Sequence, residues 1–122
     1  MTFGLTAALM AQELSYANPI LPGGYPDPSI CRVGDDYYIV NSSFEYYPGL
    51  PIHHSRDLVN WNLVAYGLHR EEQCQGRNNL VDVQQRGGIH APTIRHHDGT
   101  FYIITTNVYS PKDKSQPTQV IN

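Results

Sequence analysis

Residues 27–44 read DPSICRVGDDYYIVNSSF, and residues 91–108 read APTIRHHDGTFYIITTNV. The two stretches align without a gap at a constant offset of 64 residues. Pro28 falls on Pro92, Ser29 on Thr93 and Ile30 on Ile94; Tyr37-Tyr38-Ile39-Val40 falls on Phe101-Tyr102-Ile103-Ile104. Each copy reads as strand, tight turn, strand, with β-branched and aromatic residues at the positions a pleated surface favours. The turns are VGDDY and HDGT, and the second holds the Asp-Gly pair that suits a two-residue hairpin.

The first copy continues as YPGLPIHHSRDLVNWNLVAYGL, residues 47–68. PIHHS predicts a third strand, RDLVNW a turn closing on Trp61, and WNLVAYGL a fourth strand of alternating character. A polar excursion follows, from about His69 to Gly88. Four short antiparallel strands repeated at a fixed period are the pattern of a propeller blade. A single up-and-down barrel explains the strands but not the ungapped repeat. The expected fold is therefore all-β, with blade 1 over about residues 27–68 and an incomplete blade 2 from about residue 89. At this period 122 residues hold fewer than two blades, and a propeller ring needs at least about four. The second unit is expected to break off within YSPKDKSQPTQVIN, before its third and fourth strands. Such a pair of blades leaves apolar side faces and strand edges uncovered, so the chain reads as the front part of a larger protein.

Composition narrows the function classes. Charged residues make up 16% of the chain and the net charge is −3, so there is no basic stripe for nucleic acid. No apolar run reaches the length of a membrane span. Two cysteines, Cys31 and Cys74, are too few for a stapled miniprotein and read as free thiols. MTFGLTAALM is apolar for about eight residues, Glu13 follows it, and small residues stand at Ser15 and Ala17, so residues 1–17 read as a leader or N-terminal extension ahead of a domain over residues 18–122. The pairs His53-His54 and His96-His97 are neighbours that point to opposite faces of a strand, so neither pair chelates one ion. No zinc-type spacing occurs, and no metal site is expected. The Asn41-Ser42-Ser43 sequon falls in a strand expected to be buried.

One carboxylate stands out. Asp27 lies between Pro26 and Pro28, which restrict the backbone on both sides. Asp before Pro is a common turn dipeptide, and that is the structural alternative. The repeat bears on the choice: the equivalent of Asp27 is Ala91, while the proline beside it persists as Pro92. The second unit starts its strand without the acid.

The stretches NPILPGGYPDPSICRVGDDYYIVNSSFEYYPGLPIHHSRDLVNW (18–61) and GGIHAPTIRHHDGTFYIITTN (87–107) resemble glycoside hydrolase family 43. The likeness is to its β-xylosidase and α-L-arabinofuranosidase branch and extends from Asn18 to about Val108. It implies a five-bladed β-propeller, of which this chain holds the first blade and part of the second. It also implies hydrolysis of xylan- or arabinoxylan-type plant cell-wall sugars by inversion, with three carboxylates. By motif the general base is Asp27; the pKa-tuning Asp and the general-acid Glu belong to later blades, so the chain by itself is expected to be inactive. Phe44, with the EYYPG that follows, matches the segment that walls the sugar pocket. His90 and Ala91 match the position of an aromatic residue followed by Ala near the sugar; His90 departs from that pattern. Glu45, next to Phe44, is expected to face away from the pocket if the two lie in a strand. The resemblance associates a calcium ion with the complete ring only, and otherwise implies no cofactor. A non-catalytic carbohydrate-binding or scaffold propeller is the alternative, because fold alone does not fix function.

Overall fold

The computed structural model describes residues 15–74, 80, 83–109 and 119–121. Residues 1–14 of the stretch read as a leader or N-terminal extension lie outside the described residues. Strands β1 (Ser29–Val33), β2 (Asp36–Val40), β3 (Gly49–Ser55) and β4 (Asn62–Leu68) form one sheet in chain order. A short 3₁₀ turn over Glu71–Cys74 follows. Strands β5 (Gly88–His97), β6 (Thr100–Tyr109) and β7 (Gln119–Ile121) form a second sheet, also in chain order. All pairings are antiparallel.

β7 corrects the expectation that the second unit stops after two strands. Its three residues pair with Asn107, Val108 and Tyr109. A segment this short, set off by a polar run, carries too little periodicity to stand out in the sequence.

Turn chemistry accounts for the hairpins. Gly34 has φ +61° in the β1–β2 turn, the sign that a primed hairpin turn requires of its first residue. Asp98 and Gly99 both have positive φ between β5 and β6, as an Asp-Gly turn demands. The β3–β4 link is built around one carboxylate. Asp57 Oδ1 accepts the backbone N–H groups of Val59 and Asn60 and the Ser55 hydroxyl, and Oδ2 accepts the Asn60 side-chain amide. These donors, the Asn60 side chain first, hold the Asp57 carboxyl far below the usual carboxylate range.

The core lies where the two sheets meet. Val40 and Leu50 of the first sheet meet Ile89 and Ile94 of the second, with Cys31, Tyr38, Ile52, Leu68, Leu80 and Ile103 packed around them. Each fully buried aliphatic side chain contributes about 1.5–3 kcal/mol. β1 lies against β5, and the Ile94 N–H donates to Ser29 Oγ across that seam. Both cysteines are free and half-buried.

Pro92 falls within β5 and has no N–H for the ladder. The register shows how the strand accommodates it: His90 pairs with Thr106 and Thr93 with Ile104, so Ala91 and Pro92 together oppose Thr105 alone. This is a β-bulge, a feature that re-aims backbone groups and recurs beside active sites. Thr105 Oγ1 donates to the His90 carbonyl and closes it.

Candidate functional site

The repeat extends into the backbone. Asp27 has φ +51° and its counterpart Ala91 has φ +43°. Positive φ is uncommon outside glycine, and here both units place it at the residue before the proline. The two flanking prolines are thus only part of what fixes Asp27, whose left-handed conformation the sequence did not disclose. The conformation belongs to the start of each unit; the carboxylate belongs to the first unit alone.

Segment 41–44 stitches the two units together. The Ser42 N–H donates to the Pro26 carbonyl at 3.0 Å. The Asn41 side-chain amide donates to the carbonyls of Tyr25 and Pro26 at 2.8 and 3.2 Å. On the other side, the Ser43 and Phe44 N–H groups both donate to the Ile89 carbonyl, and the Ile89 N–H donates back to the Phe44 carbonyl. Asn41, Ser42 and Ser43 are all buried. Buried polar side chains are retained where they have partners: the Asn41 amide reaches the segment before β1, the Ser42 hydroxyl joins Asp27 to Ala91, and the Ser43 hydroxyl accepts the Leu50 N–H of β3 at 3.0 Å. The amide nitrogen of the Asn41 sequon is committed to this network.

Asp27 is exposed as a residue, yet its carboxylate is anchored. Ser42 Oγ donates to Asp27 Oδ2 at 2.6 Å, and the Ala91 N–H donates to Ser42 Oγ at 2.7 Å. Asp27, Ser42 and Ala91 therefore form one chain of hydrogen bonds from the first unit to the bulge of the second. Phe44 and His90 form a second pairing, with ring centroids 4.6 Å apart. The His90 ring is held by Nε2 at 3.0 Å from the Arg86 carbonyl.

Beside these groups lies an open cleft of about 490 Å³, lined by Gly23, Tyr25, Pro26, Ser42, Phe44, Tyr46 and their neighbours. That volume is in the range of small-molecule sites. Phe44 and Ser42 line it; Asp27, His90 and Ala91 do not, and border it through Pro26, Phe44 and Ser42. His53 is buried and meets Tyr25, a lining residue of the cleft, edge-on at 4.7 Å, and burial pushes its imidazole below the ordinary value. Phe44 and Glu45 sit in a bridge and turn, not in a strand. Phe44 nevertheless faces the cleft, while the Glu45 carboxylate accepts the Arg86 N–H at 3.3 Å. Arg95 is exposed.

Among the described residues no group of three His, Cys, Asp or Glu side chains gathers as metal ligands do. No helix among them is long and apolar enough to cross a membrane.

The sequence profile of "Glycosyl hydrolases family 43" matches residues 16–122. The chain belongs to that family. Among family 43 relatives, a non-reducing end alpha-L-arabinofuranosidase of Bacteroides ovatus is 55% identical over 99 residues, covering 80% of this chain and 18% of the relative. A xylan 1,3-beta-xylosidase of a Vibrio species is 50% identical over 93 residues, covering 76% of this chain and 17% of the relative. Among solved structures, a xylan beta-1,4-xylosidase from Bacillus halodurans superposes with a TM-score of 0.70 at 50% identity, covering 80% of this chain and 18% of that one. The chain thus spans about 18% of the length of these family 43 proteins.

Ser42 is the site residue that sequence reasoning missed. Its neighbourhood, NSSF, read as strand and sequon. The signal for it is indirect: a buried hydroxyl is informative only once its distant partners are known.

Proposed function

We propose that this chain is the front part of a glycoside hydrolase acting by inversion on xylan- or arabinoxylan-type sugars, a β-xylosidase or an α-L-arabinofuranosidase, with Asp27 as general base. The observation that carries the reading is the anchored Asp27 carboxylate, tied through Ser42 to a cleft walled by an aromatic ring. In an inverting reaction a water molecule attacks the anomeric carbon as the base takes its proton, and an acid on the opposite side protonates the departing glycosidic oxygen. The two carboxyl groups stand about 6.5–9.5 Å apart to leave room for the water. Asp27 suits the first role: its backbone is fixed, one oxygen is tethered, and fixed geometry is what general-base chemistry rewards. Phe44 offers an apolar face to a sugar ring. His90 packs on Phe44 without lining the cleft itself.

The relatives carry different names, arabinofuranosidase and xylosidase, so the choice of sugar rests with walls beyond these residues. The general acid is assigned to later blades, and chain 1–122 alone is expected to hydrolyse nothing measurable. The test is turnover of 4-nitrophenyl β-D-xylopyranoside and 4-nitrophenyl α-L-arabinofuranoside by the complete protein. Asp27→Ala is expected to lower kcat by about 10²–10⁴-fold. Unchanged turnover in that variant ends the assignment. Sugar binding without turnover in the wild-type protein favours the non-catalytic module instead.

A further inference from the structure

The hydroxyl of Ser42 is placed to do more than fill space. Ser42 is 2% exposed, and its hydroxyl sits between two groups of opposite hydrogen-bonding character. The Ala91 N–H can only donate, and it points at Ser42 Oγ from 2.7 Å. An ionised Asp27 carboxylate can only accept, and its Oδ2 lies 2.6 Å from the same oxygen. A serine hydroxyl has one proton. With its oxygen engaged by Ala91, that proton is directed to Asp27.

The Ala91 amide is free to do this because of the bulge, in which Ala91 and Pro92 oppose Thr105 alone. Left-handed φ values at Asp27, Phe44 and Ala91 surround the same hydroxyl. Backbone strain of this kind persists where surrounding structure over-determines it, and it clusters at functional sites.

We propose that Ser42 is a positioning residue for the Asp27 base. It assigns Oδ2 to the anchor and leaves Oδ1, which no donor reaches among the described residues, to take the proton of the attacking water. Through Ala91 it also ties the aim of the carboxylate to the second unit, so the base is set only when the two units are docked. This deepens the reading of Asp27 given above and rests on it.

The experiment uses the complete protein and the better of the two nitrophenyl substrates. Ser42→Ala is expected to lower kcat by about 10- to 100-fold, with KM within threefold of wild type and the thermal midpoint retained well above the assay temperature. Ser42→Thr, which keeps the hydroxyl, is expected to recover kcat to within about fivefold of wild type. A wild-type kcat in Ser42→Ala overturns the proposal. So does a KM rise matching the loss of kcat, which marks a collapsed cleft, or a Ser42→Thr enzyme as slow as Ser42→Ala. Should Ser42→Ala not fold, Ser42→Cys carries the test, because a thiol is a weak donor: kcat at least tenfold below wild type supports the role, and wild-type kcat overturns it. Asp27→Ala, run beside these, separates the two readings. If it keeps full turnover, the assignment of Asp27 falls and this proposal with it. If it is inactive while Ser42→Ala is not, only the role of Ser42 falls.

Discussion

A left-handed backbone at a residue with a side chain is uncommon, and Asp27, Phe44 and Ala91 all adopt one around a single buried serine. Each such residue is disfavoured by about 1–2 kcal/mol, so neighbouring contacts must hold it. The neighbour that holds Phe44 is Gly88. A Cβ built on Gly88 would overlap the Phe44 carbonyl oxygen, and Gly88 itself has φ +83°. Gly88→Ala is therefore expected to destabilise the protein by about 2–4 kcal/mol, read as a fall in urea midpoint, and to lower turnover with it because Phe44 lines the cleft. A variant as stable as wild type would mean that the Phe44–Ile89 bridge is dispensable. Residues of this kind differ in how far the sequence discloses them. Asp27 stood out because its proline-flanked position could be set against Ala91 in the repeat. Ser42 did not, because its partners lie 15 and 49 residues away in the chain, and no local pattern encodes a contact at that distance. The left-handed backbone at Asp27 was hidden for the same reason, since Asp-Pro is compatible with several turn geometries.

The strands themselves were legible, because their periodicity is local. Tyr37 to Val40 and Phe101 to Ile104 pair with β1 and β5 as the aligned copies imply. What the alternation could not show is the bulge at Ala91–Pro92, where a proline interrupts the ladder, or β7, which takes the place of β3 but spans only three residues. The turn between β3 and β4 shows how a link can be as constrained as a strand. Asp57 caps it with four accepted hydrogen bonds, the Trp61 indole N–H donates to the Leu58 carbonyl, and Leu58 takes φ +65° to let the chain close. Because the Asp57 carboxyl is held far below its ordinary 3.8 in the folded state, the unfolded chain takes up this proton more readily. Its contribution to stability is present above about pH 4 and is lost as pH falls below that, toward the folded value. Asp36 adds to the same trend: His54 first, then Arg56, lower its pKa through hydrogen bonds of 2.7 and 2.9 Å. Thermal denaturation between pH 3 and pH 6 should show Asp57→Asn less stable than wild type at pH 6, with the gap narrowing toward pH 3. A constant gap would contradict the assignment of the charge as the source.

At the scale of the whole molecule, the two sheets share a small core and leave much apolar surface outside it. Five hydrophobic side chains are buried among the described residues, whereas Ile30, Val64, Tyr102 and Ile104 are all more than half exposed, Ile104 at 71%. Ile30 lies on β1, Val64 on β4, and Tyr102 and Ile104 on β6, so the uncovered residues come from both sheets. Composition and repeat disclosed that the fold is all-β and made of like units. They could not disclose how units pack, because the residues that seal one unit against the next sit on faces that read as alternating in every strand. In a chain that spans about 18% of its relatives' length, these faces are where further units would stack. Contiguous apolar surface and open strand edges drive association when nothing covers them. The isolated 122-residue chain is therefore expected to elute well above its 13.7 kDa monomer mass, with light scattering fixing the mass, and to enhance the fluorescence of an apolar-surface dye. Replacing Ile104 and Val64 together by Lys should shift the chain toward the monomer, because charge on the face opposes stacking. A wild-type chain that runs as a dye-silent monomer would mean that the two sheets bury their own faces and need no further unit to complete them.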